Sequence, residues 1–457
     1  MNDQQLDQLL DAASPVALWL DTDERPPARP ALFGAARADL VVVGGGFTGL
    51  WTALRAKERD PDRSVLLIEA GRIGDAASGR NGGFCEASLT HGEPNGVDRW
   101  PEEFDELQRL GRENLAALIE TVERYGIDCR MEAPDTLRVA TAPHQVQGLG
   151  PGTPGFLGQD AVRALVDSPT YLAARASAGD CVLIDPARLV WGLADAAERL
   201  GVRIVENTPV RNISERGTGL WVDTAGGKVA TDRVALATNA FRPLLQRLSL
   251  FTVPVYDYVL ATEPLTAQQL ASVGWSGRQG ISDSGNQFHY YRLTPDNRIL
   301  WGGYDAIYHY GRRIHPDLDD RRATHRLLAR QFYDTFPQLA DVRFSHRWGG
   351  VIDTSTRFCA FFGTARKNRV AYALGFTGLG VAATRFAADV MLDLLDGQDT
   401  ERTRTTMVRR RPLPFPPEPL AWIGIQLTRR SLAAEDRRGR RNLWLRALDR
   451  LGLGFDS

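Results

Sequence analysis

Residues 39–49 read Asp-Leu-Val-Val-Val-Gly-Gly-Gly-Phe-Thr-Gly, and no other stretch constrains the fold as strongly. The apolar run Leu40 to Val43 fits a strand buried on both faces, as in a parallel sheet. Gly44, Gly46 and Gly49 then fall in G-x-G-x-x-G register, and a helical pattern follows from Leu50. In that register Gly44 permits the tight turn, Gly46 lets a pyrophosphate approach the backbone, and Gly49 lets helix and strand pack closely. The start of the helix offers unpaired N–H groups and a partial positive charge to phosphates. A second apolar run, Val65 to Ile68, ends in Glu69, twenty residues past Gly49, where the ribose 2′-hydroxyl acceptor belongs. The triplet alone is a weak signal in a chain with 44 glycines. Strand, triplet, helix, strand and acid together specify a dinucleotide-binding βαβ unit. An ordinary βαβ unit without a nucleotide is the competing reading.

A chain of 457 residues exceeds one compact core and suggests two or three domains. Lys+Arg (55) and Asp+Glu (56) nearly cancel, so no global field favours nucleic acid. Lysine is confined to Lys57, Lys228 and Lys367, which leaves few candidates for a Schiff base. The four cysteines, Cys85, Cys129, Cys181 and Cys359, are isolated and form no C-x-x-C pair, so no zinc clip, other metal site or redox dithiol is expected. A reduced cytoplasmic protein is the simpler expectation. The start of the chain lacks a basic segment followed by an apolar one, and no run of about 18 apolar residues predicts a transmembrane helix.

Residues 1–38 read as an N-terminal surface arm, with Trp19 and a Pro-rich stretch from Arg25 to Pro30. Leu107, Leu110, Leu115 and Leu118 predict a helix within 101–128, and the glycine- and proline-rich residues 145–160 predict a flexible loop. Asp185-Pro186 opens a helix through Leu200, and Val202 to Val205 reads as a strand. Residues 251–262 and 287–304 alternate in period two, as antiparallel strands do. A second strand–glycine–helix element follows far downstream: residues 369–374, then Gly375, Gly378 and Gly380, then a helix from Val381 to Leu395. The tail, 401–457, carries 13 arginines against 6 acids, and five prolines. It reads as an Arg/Pro-rich extension that wraps the surface with solvated arginines, with docking to another subunit, and hence an oligomer, as the alternative.

Several segments resemble one family. They are Val41 to Leu50, then Leu66-Leu-Ile-Glu-Ala-Gly71, then Ala76-Ala-Ser-Gly-Arg-Asn-Gly-Gly-Phe84, with Val253 to Pro264, Tyr290 to Gly303, Trp348 to Thr354 and Gly375 to Gly380. Together they resemble the D-amino-acid oxidase superfamily of FAD-dependent oxidoreductases, over about 20–400. The Ser-Gly-Arg-Asn-Gly-Gly segment is most similar to the branch containing gamma-glutamylputrescine oxidoreductase and related amine oxidoreductases. The resemblance implies an α/β protein with an α+β substrate domain. Its Rossmann-like FAD-binding domain is expected from the discontinuous segments 39–95, 181–250 and 340–400, and its antiparallel-sheet substrate domain from 96–180 and 251–339. Two strand-to-helix glycine turns, more than 300 residues apart, could hold a long dinucleotide by both ends, which favours FAD over NAD. The cofactor residues so implied are Gly44, Gly46, Phe47, Thr48, Gly49, Glu69, Ala70, Ser78, Arg80, Asn81, Gly82, Gly83, Val210, Thr238, Asn239, Thr354, Gly378, Leu379, Gly380 and Val381.

The family oxidises a C–N bond by moving a hydride to flavin N5, giving an imine that hydrolyses. The substrate implied is a small-molecule amine, and the acceptor dioxygen or another electron acceptor. Arg80 is a candidate for steadying negative charge on the reduced flavin, with a solvated arginine in a glycine-rich turn as the plain alternative. Where glycine-oxidase-like members clamp an α-carboxylate with arginine, this chain has Ile352, followed by Asp353. That argues for an amine over a simple α-amino acid, with an N-methyl or D-amino acid as the alternative, and makes Asp353 a possible ammonium partner or a turn-capping acid. The oxygen-activating lysine of sarcosine-oxidase-like members aligns with Trp301, and their histidine with Asp305. No match for a covalent flavin attachment is found, so FAD is expected to be non-covalent and Cys359 a packed thiol. Alternation puts Tyr256 with Tyr258, and His289 with Tyr291, on common faces. Tyr256, Tyr258, His289, Tyr290 and Tyr291 are the pocket candidates, with Trp348 and Phe376, which flank the flavin motifs, as caps. Two other classes compete: an aromatic hydroxylase reduced by NAD(P)H, and a non-catalytic flavoprotein subunit of a complex.

Overall fold

The computed structural model describes residues 2–217 and 219–453. Met1 and the last four residues of the C-terminal extension lie outside the described residues. The chain builds two large sheets. The first is nucleotide-binding in form. Its strands run in the order Arg203–Val205, Val65–Ile68, Gly34–Val43, Gly227–Leu236, Val370–Leu374 and Phe361–Ala365, all parallel except the last. The apolar run from Leu40 works because both faces are covered. Leu40 and Val42 point into a core with the helices Phe47–Arg59, Pro186–Arg199 and Ala383–Asp396. Val41 and Val43 point the other way, onto Val222, Val229 and Leu248.

The second sheet has nine strands. Strand Thr252–Thr262 pairs with Phe344–Ser355 on one side and Ile299–Gly303 on the other. The path continues through His289–Leu293, Gly280–Asp283, Thr136–Ala140, Ala173–Ser177 and Phe156–Gly158. Its outer face is sealed by helix Arg322–Thr335 and an aromatic cluster around Trp275, Trp301, Phe332 and Phe336. Its inner face turns toward the nucleotide sheet.

Four boundaries differ from the sequence expectations. Strand Phe344–Ser355 belongs to the nine-stranded sheet, so the chain returns to the nucleotide sheet after Ser355 rather than at residue 340. Helix Phe104–Tyr125, assigned to the substrate domain, packs its leucines into the core shared with Ala383–Asp396. Residues 145–160 are not a plain loop: they hold a 3-10 helix, Pro143–Leu149, and the edge strand Phe156–Gly158. The arm is an integral part of the body, because Leu6, Leu10, Trp19 and Leu32 are all buried. The extension also departs from a surface wrap. Helices Leu420–Arg438 and Leu443–Arg450 wall part of the central cleft. Among the described residues no helix is long and apolar enough to cross a membrane.

Candidate active site

The first glycine junction is fixed by packing. A Cβ on Gly44 would strike the carbonyl oxygen of Ala237, and one on Gly49 would land on the carbonyl oxygen of Gly44. Gly46 caps helix Phe47–Arg59, and a Cβ there would sit 2.8 Å from Ser78 Oγ. Ser78 Oγ accepts the Phe47 N–H at 2.9 Å, which brings the segment Ser78 to Gly83 against the junction. Glu69 ends its strand with its carboxylate accepting Gly45 N–H at 2.6 Å and Gly71 N–H at 2.7 Å. Burial raises its carboxyl above the ordinary range, against those two bonds.

Two indoles hold the Arg80–Asn81 turn. Trp19 Nε1 donates to Asn81 O at 2.8 Å, and Trp348 Nε1 donates to Arg80 O at 2.9 Å. Trp348 is therefore a support behind the turn rather than a free pocket wall. The Arg80 guanidinium is already engaged, by Asp319 at 2.6 Å, Asp75 O at 2.6 Å and Gly349 O at 3.1 Å.

The second junction is held by a carboxylate. Asp353 accepts the N–H groups of Gly375 at 2.5 Å and Phe376 at 3.1 Å, while its own carbonyl accepts Thr377 N–H. Of the two sequence readings of Asp353, its contacts are those of the turn-capping acid. Burial pushes its carboxyl up to about 7, with the N–H bonds opposing. Gly378, at φ +88°, has open space around it, with Ile352 Cδ1 nearest at 3.9 Å.

The helices leaving the two junctions are locked together. Arg59 reaches Asp389 and Asp393, each at 2.7 Å, and Arg55 reaches Asp389 at 3.0 Å. Both carboxylates are buried. Burial raises the Asp389 carboxyl, but Arg55, Arg59 and Arg385 outweigh that and hold it below the ordinary range. Breaking one partner of such a set leaves a buried charge unpaired and costs about 3–5 kcal/mol.

Both junctions open on one cleft of about 2790 Å³. Of the cofactor candidates only Gly49 and Gly83 stand behind its wall. Asn239, at φ +47°, brings a buried Oδ1 without a hydrogen-bond partner. Across the cleft stands the inner face of the nine-stranded sheet, and there the aromatic assignments change. Tyr258 points outward to Leu318 O and His325, and Tyr291 outward to Tyr171, Trp275 and Trp301. His289 pairs with Asp283 and Gln331 and stacks on Trp301 and Tyr304. The residues of opposite parity, Asp257, Val259 and Tyr290, face the cleft, and of the tyrosines on the outward face Tyr256 also reaches its wall. Tyr290 Oη donates to Asp257 Oδ2 at 2.5 Å. Burial raises the Asp257 carboxyl to about 6, and the Tyr290 hydroxyl well above its ordinary value. The sequence shows the alternation but not which parity looks inward. Trp301, at the position of the aligned lysine, is buried in the outer aromatic cluster.

A cleft floored by two glycine turns, with a half-buried acid at the end of its second strand, an orphaned amide oxygen and phosphate-accessible helix starts, fits a long dinucleotide. The comparisons agree. The family model described as DAO, FAD dependent oxidoreductase, matches residues 39–394. The chain belongs to this family of FAD-dependent oxidoreductases. Among its relatives is the gamma-glutamylputrescine oxidoreductase of Escherichia coli K12, 34% identical over 386 residues that cover 80% of this chain and 84% of that protein. A probable oxidoreductase, OrdL, of Haemophilus influenzae is 27% identical over 81% of this chain and 85% of its own length. In fold, this DAO-family chain is similar to glycine oxidase from Geobacillus kaustophilus, with a TM-score of 0.67 at 21% identity, over 83% of this chain and all of that one. L-Proline dehydrogenase from P. horikoshii gives 0.66 at 18% identity, over 80% and 95%.

Proposed function

We propose that this enzyme oxidises the C–N bond of an amine, with FAD held non-covalently across the two junctions. A hydride leaves the carbon beside the nitrogen, and the imine so formed adds water and splits to a carbonyl and an amine. Bound FAD supplies the two-electron acceptor for that hydride. The observation that carries the reading is the inner face of the substrate sheet. There a half-buried carboxylate, Asp257, faces the cleft with only neutral hydrogen-bond partners, among them the Tyr290 hydroxyl. Such a group accepts an amine N–H, or takes the proton of an ammonium so that the nitrogen lone pair can drive hydride loss. The name of the 34%-identical relative, which acts on gamma-glutamylputrescine, supports an amine substrate.

The residues we assign to FAD follow the geometry. Gly44 to Thr48 and the helix start would take the pyrophosphate, and Glu69 the ribose. Val210 would meet the adenine side, and Thr238-Asn239 the pyrophosphate side. Ser78 to Gly83 and Thr354, with Gly378 to Val381, would line the flavin end. Arg80 would act there as a positioning residue, since its charge is already met by Asp319. Ile352 lines the cleft where an α-carboxylate clamp would need arginine, which favours an amine over an α-amino acid. All four cysteines are buried and none lines the cleft, in keeping with non-covalent cofactor. Acid precipitation is expected to leave a colourless pellet and a yellow supernatant.

Anaerobic stopped-flow mixing of the yellow holoenzyme with an amine panel is the test, followed by admission of air. Bleaching of the flavin bands by an amine is expected, whereas bleaching by NADPH alone would replace this reading with that of a hydroxylase.

A further inference from the structure

Strand register places one row of residues across the inner face of the substrate sheet. Val259 pairs with Gly302, Gly302 with Tyr290, Tyr290 with Ser282, Ser282 with Arg138, and Arg138 with Arg175. The row therefore runs from the Asp257–Tyr290 pair, beside the segment Ser78 to Gly83, to two arginines facing each other on neighbouring strands. Like charges directly opposed on a sheet destabilise it. Both side chains line the cleft.

Neither arginine is neutralised. Arg138 makes no ion pair or side-chain hydrogen bond among the described residues, and Glu93 reaches it only as a distant charge. Burial, and next the charge of Arg175, push the Arg138 guanidinium below its ordinary value. Arg175 donates only to neutral oxygens, Thr153 Oγ1 at 2.8 Å and Leu149 O at 3.3 Å. Of the other arginines at the cleft wall, Arg80 is matched by Asp319, Arg429 by Asp305, Arg72 by Glu206 and Arg312 by backbone carbonyls, while Arg242 stands exposed to solvent.

We propose that Arg138 and Arg175 form a carboxylate-binding subsite, so that the amine this enzyme oxidises carries a carboxylate remote from its reacting nitrogen. Two forked guanidinium groups with free donors suit a planar carboxylate. Strands lie about 4.8 Å apart, so Arg138 stands two strands, roughly 10 Å, from Tyr290, and Arg175 one strand further. An ω-amino acid of moderate length spans that interval, while an α-amino acid does not. The subsite rests on the amine reading for its substrate, but not for its ligand.

The test uses the FAD-loaded enzyme and pairs of ω-amino acids of six to ten carbons with their primary amides. In anaerobic flavin reduction the acid is expected to saturate at a concentration about tenfold or more below its amide, the worth of a charge-assisted contact. Arg138→Gln and Arg175→Gln should each erase that preference while leaving the limiting reduction rate of the amides and the affinity for FAD unchanged. Arg138→Lys should restore part of it. Removing one of two opposed charges should not lower the melting temperature, whereas a purely structural arginine would. Calorimetric titration with hexanoate, which cannot be oxidised as an amine, reads the subsite alone. Hexanoate binding that is lost in Arg138→Gln upholds the subsite even if no amine reduces the flavin, a result that would instead remove the amine reading. Amines that reduce the flavin without preference for the acid, together with hexanoate binding indifferent to both arginines, would overturn the subsite and leave the amine reading standing.

Discussion

The two glycine junctions perform similar work by different physics. At Gly44 to Gly49 the glycines are demanded by contact, because added carbons would occupy the carbonyl oxygens of Ala237 and Gly44. At Gly375 to Gly380 conformation weighs more, and contact enters only at Gly375, where a carbon would press on Ser355 Cβ at 2.8 Å. Gly375 and Gly378 sit at φ +81° and +88°, and a carbon on Gly378 or Gly380 would meet nothing closer than 3.9 Å. The first junction is a solid joint between strand and helix. The second is an open turn whose shape is kept by a buried carboxylate, Asp353. A joint made by packing fails by unfolding, and a turn kept by hydrogen bonds fails by losing its ligand.

The largest effect should come from the solid joint. Gly49→Ala forces backbone apart in the core, and a loss of roughly 3–5 kcal/mol is expected, read as a collapse of the melting temperature with loss of colour. Next comes the carboxylate at the open turn. Asp353→Asn keeps one acceptor of two, so FAD affinity should fall about tenfold while the apoprotein still folds cooperatively.

The same substitution sharpens the comparison through pH. The Asp353 carboxyl rises from 3.8 to about 7, so the folded chain keeps a proton that the unfolded chain releases over that interval. Stability contributed by this site falls as pH climbs from about 4 to 7, and Asp353→Asn should flatten that slope in thermal melts. Asp389, held below 3.8 by Arg55 and Arg59, works with the opposite sign. Its contribution is present above about pH 4 and fades as the solution is acidified.

At the substrate face the change falls on turnover rather than on the cofactor. Asp257→Asn should lower kcat/KM for amines by about 10- to 100-fold with little change in FAD binding. In the native enzyme kcat/KM should rise with pH through about 6 as this carboxyl ionises.

Sequence reading located both junctions because each combines a local apolar strand, glycine spacing and a helical period, all properties of neighbours in the chain. It failed where the answer depends on what packs behind. Tyr258 and Tyr291 were expected in the pocket from aromatic character, yet strand alternation is symmetric until a partner covers one face. Helix Arg322–Thr335 covers theirs, which leaves Asp257 and Tyr290 to look inward. The boundary at residue 340 was missed for a similar reason, since only long-range pairing reveals that Phe344–Ser355 returns beside Thr252–Thr262. Trp19 and the extension helices carried no local sign of their place, because an indole reaching Asn81 O across 62 residues leaves no periodicity.

The claim that one cofactor is gripped by both junctions is tested most directly by FAD titration of apoprotein carrying Gly378→Ala, followed by protein fluorescence and flavin absorbance. A side chain at φ +88° costs on the order of 1–2 kcal/mol, so affinity should drop about tenfold with a shifted flavin spectrum, while the apoprotein still melts cooperatively. Unaltered affinity and spectrum in that variant would contradict the account.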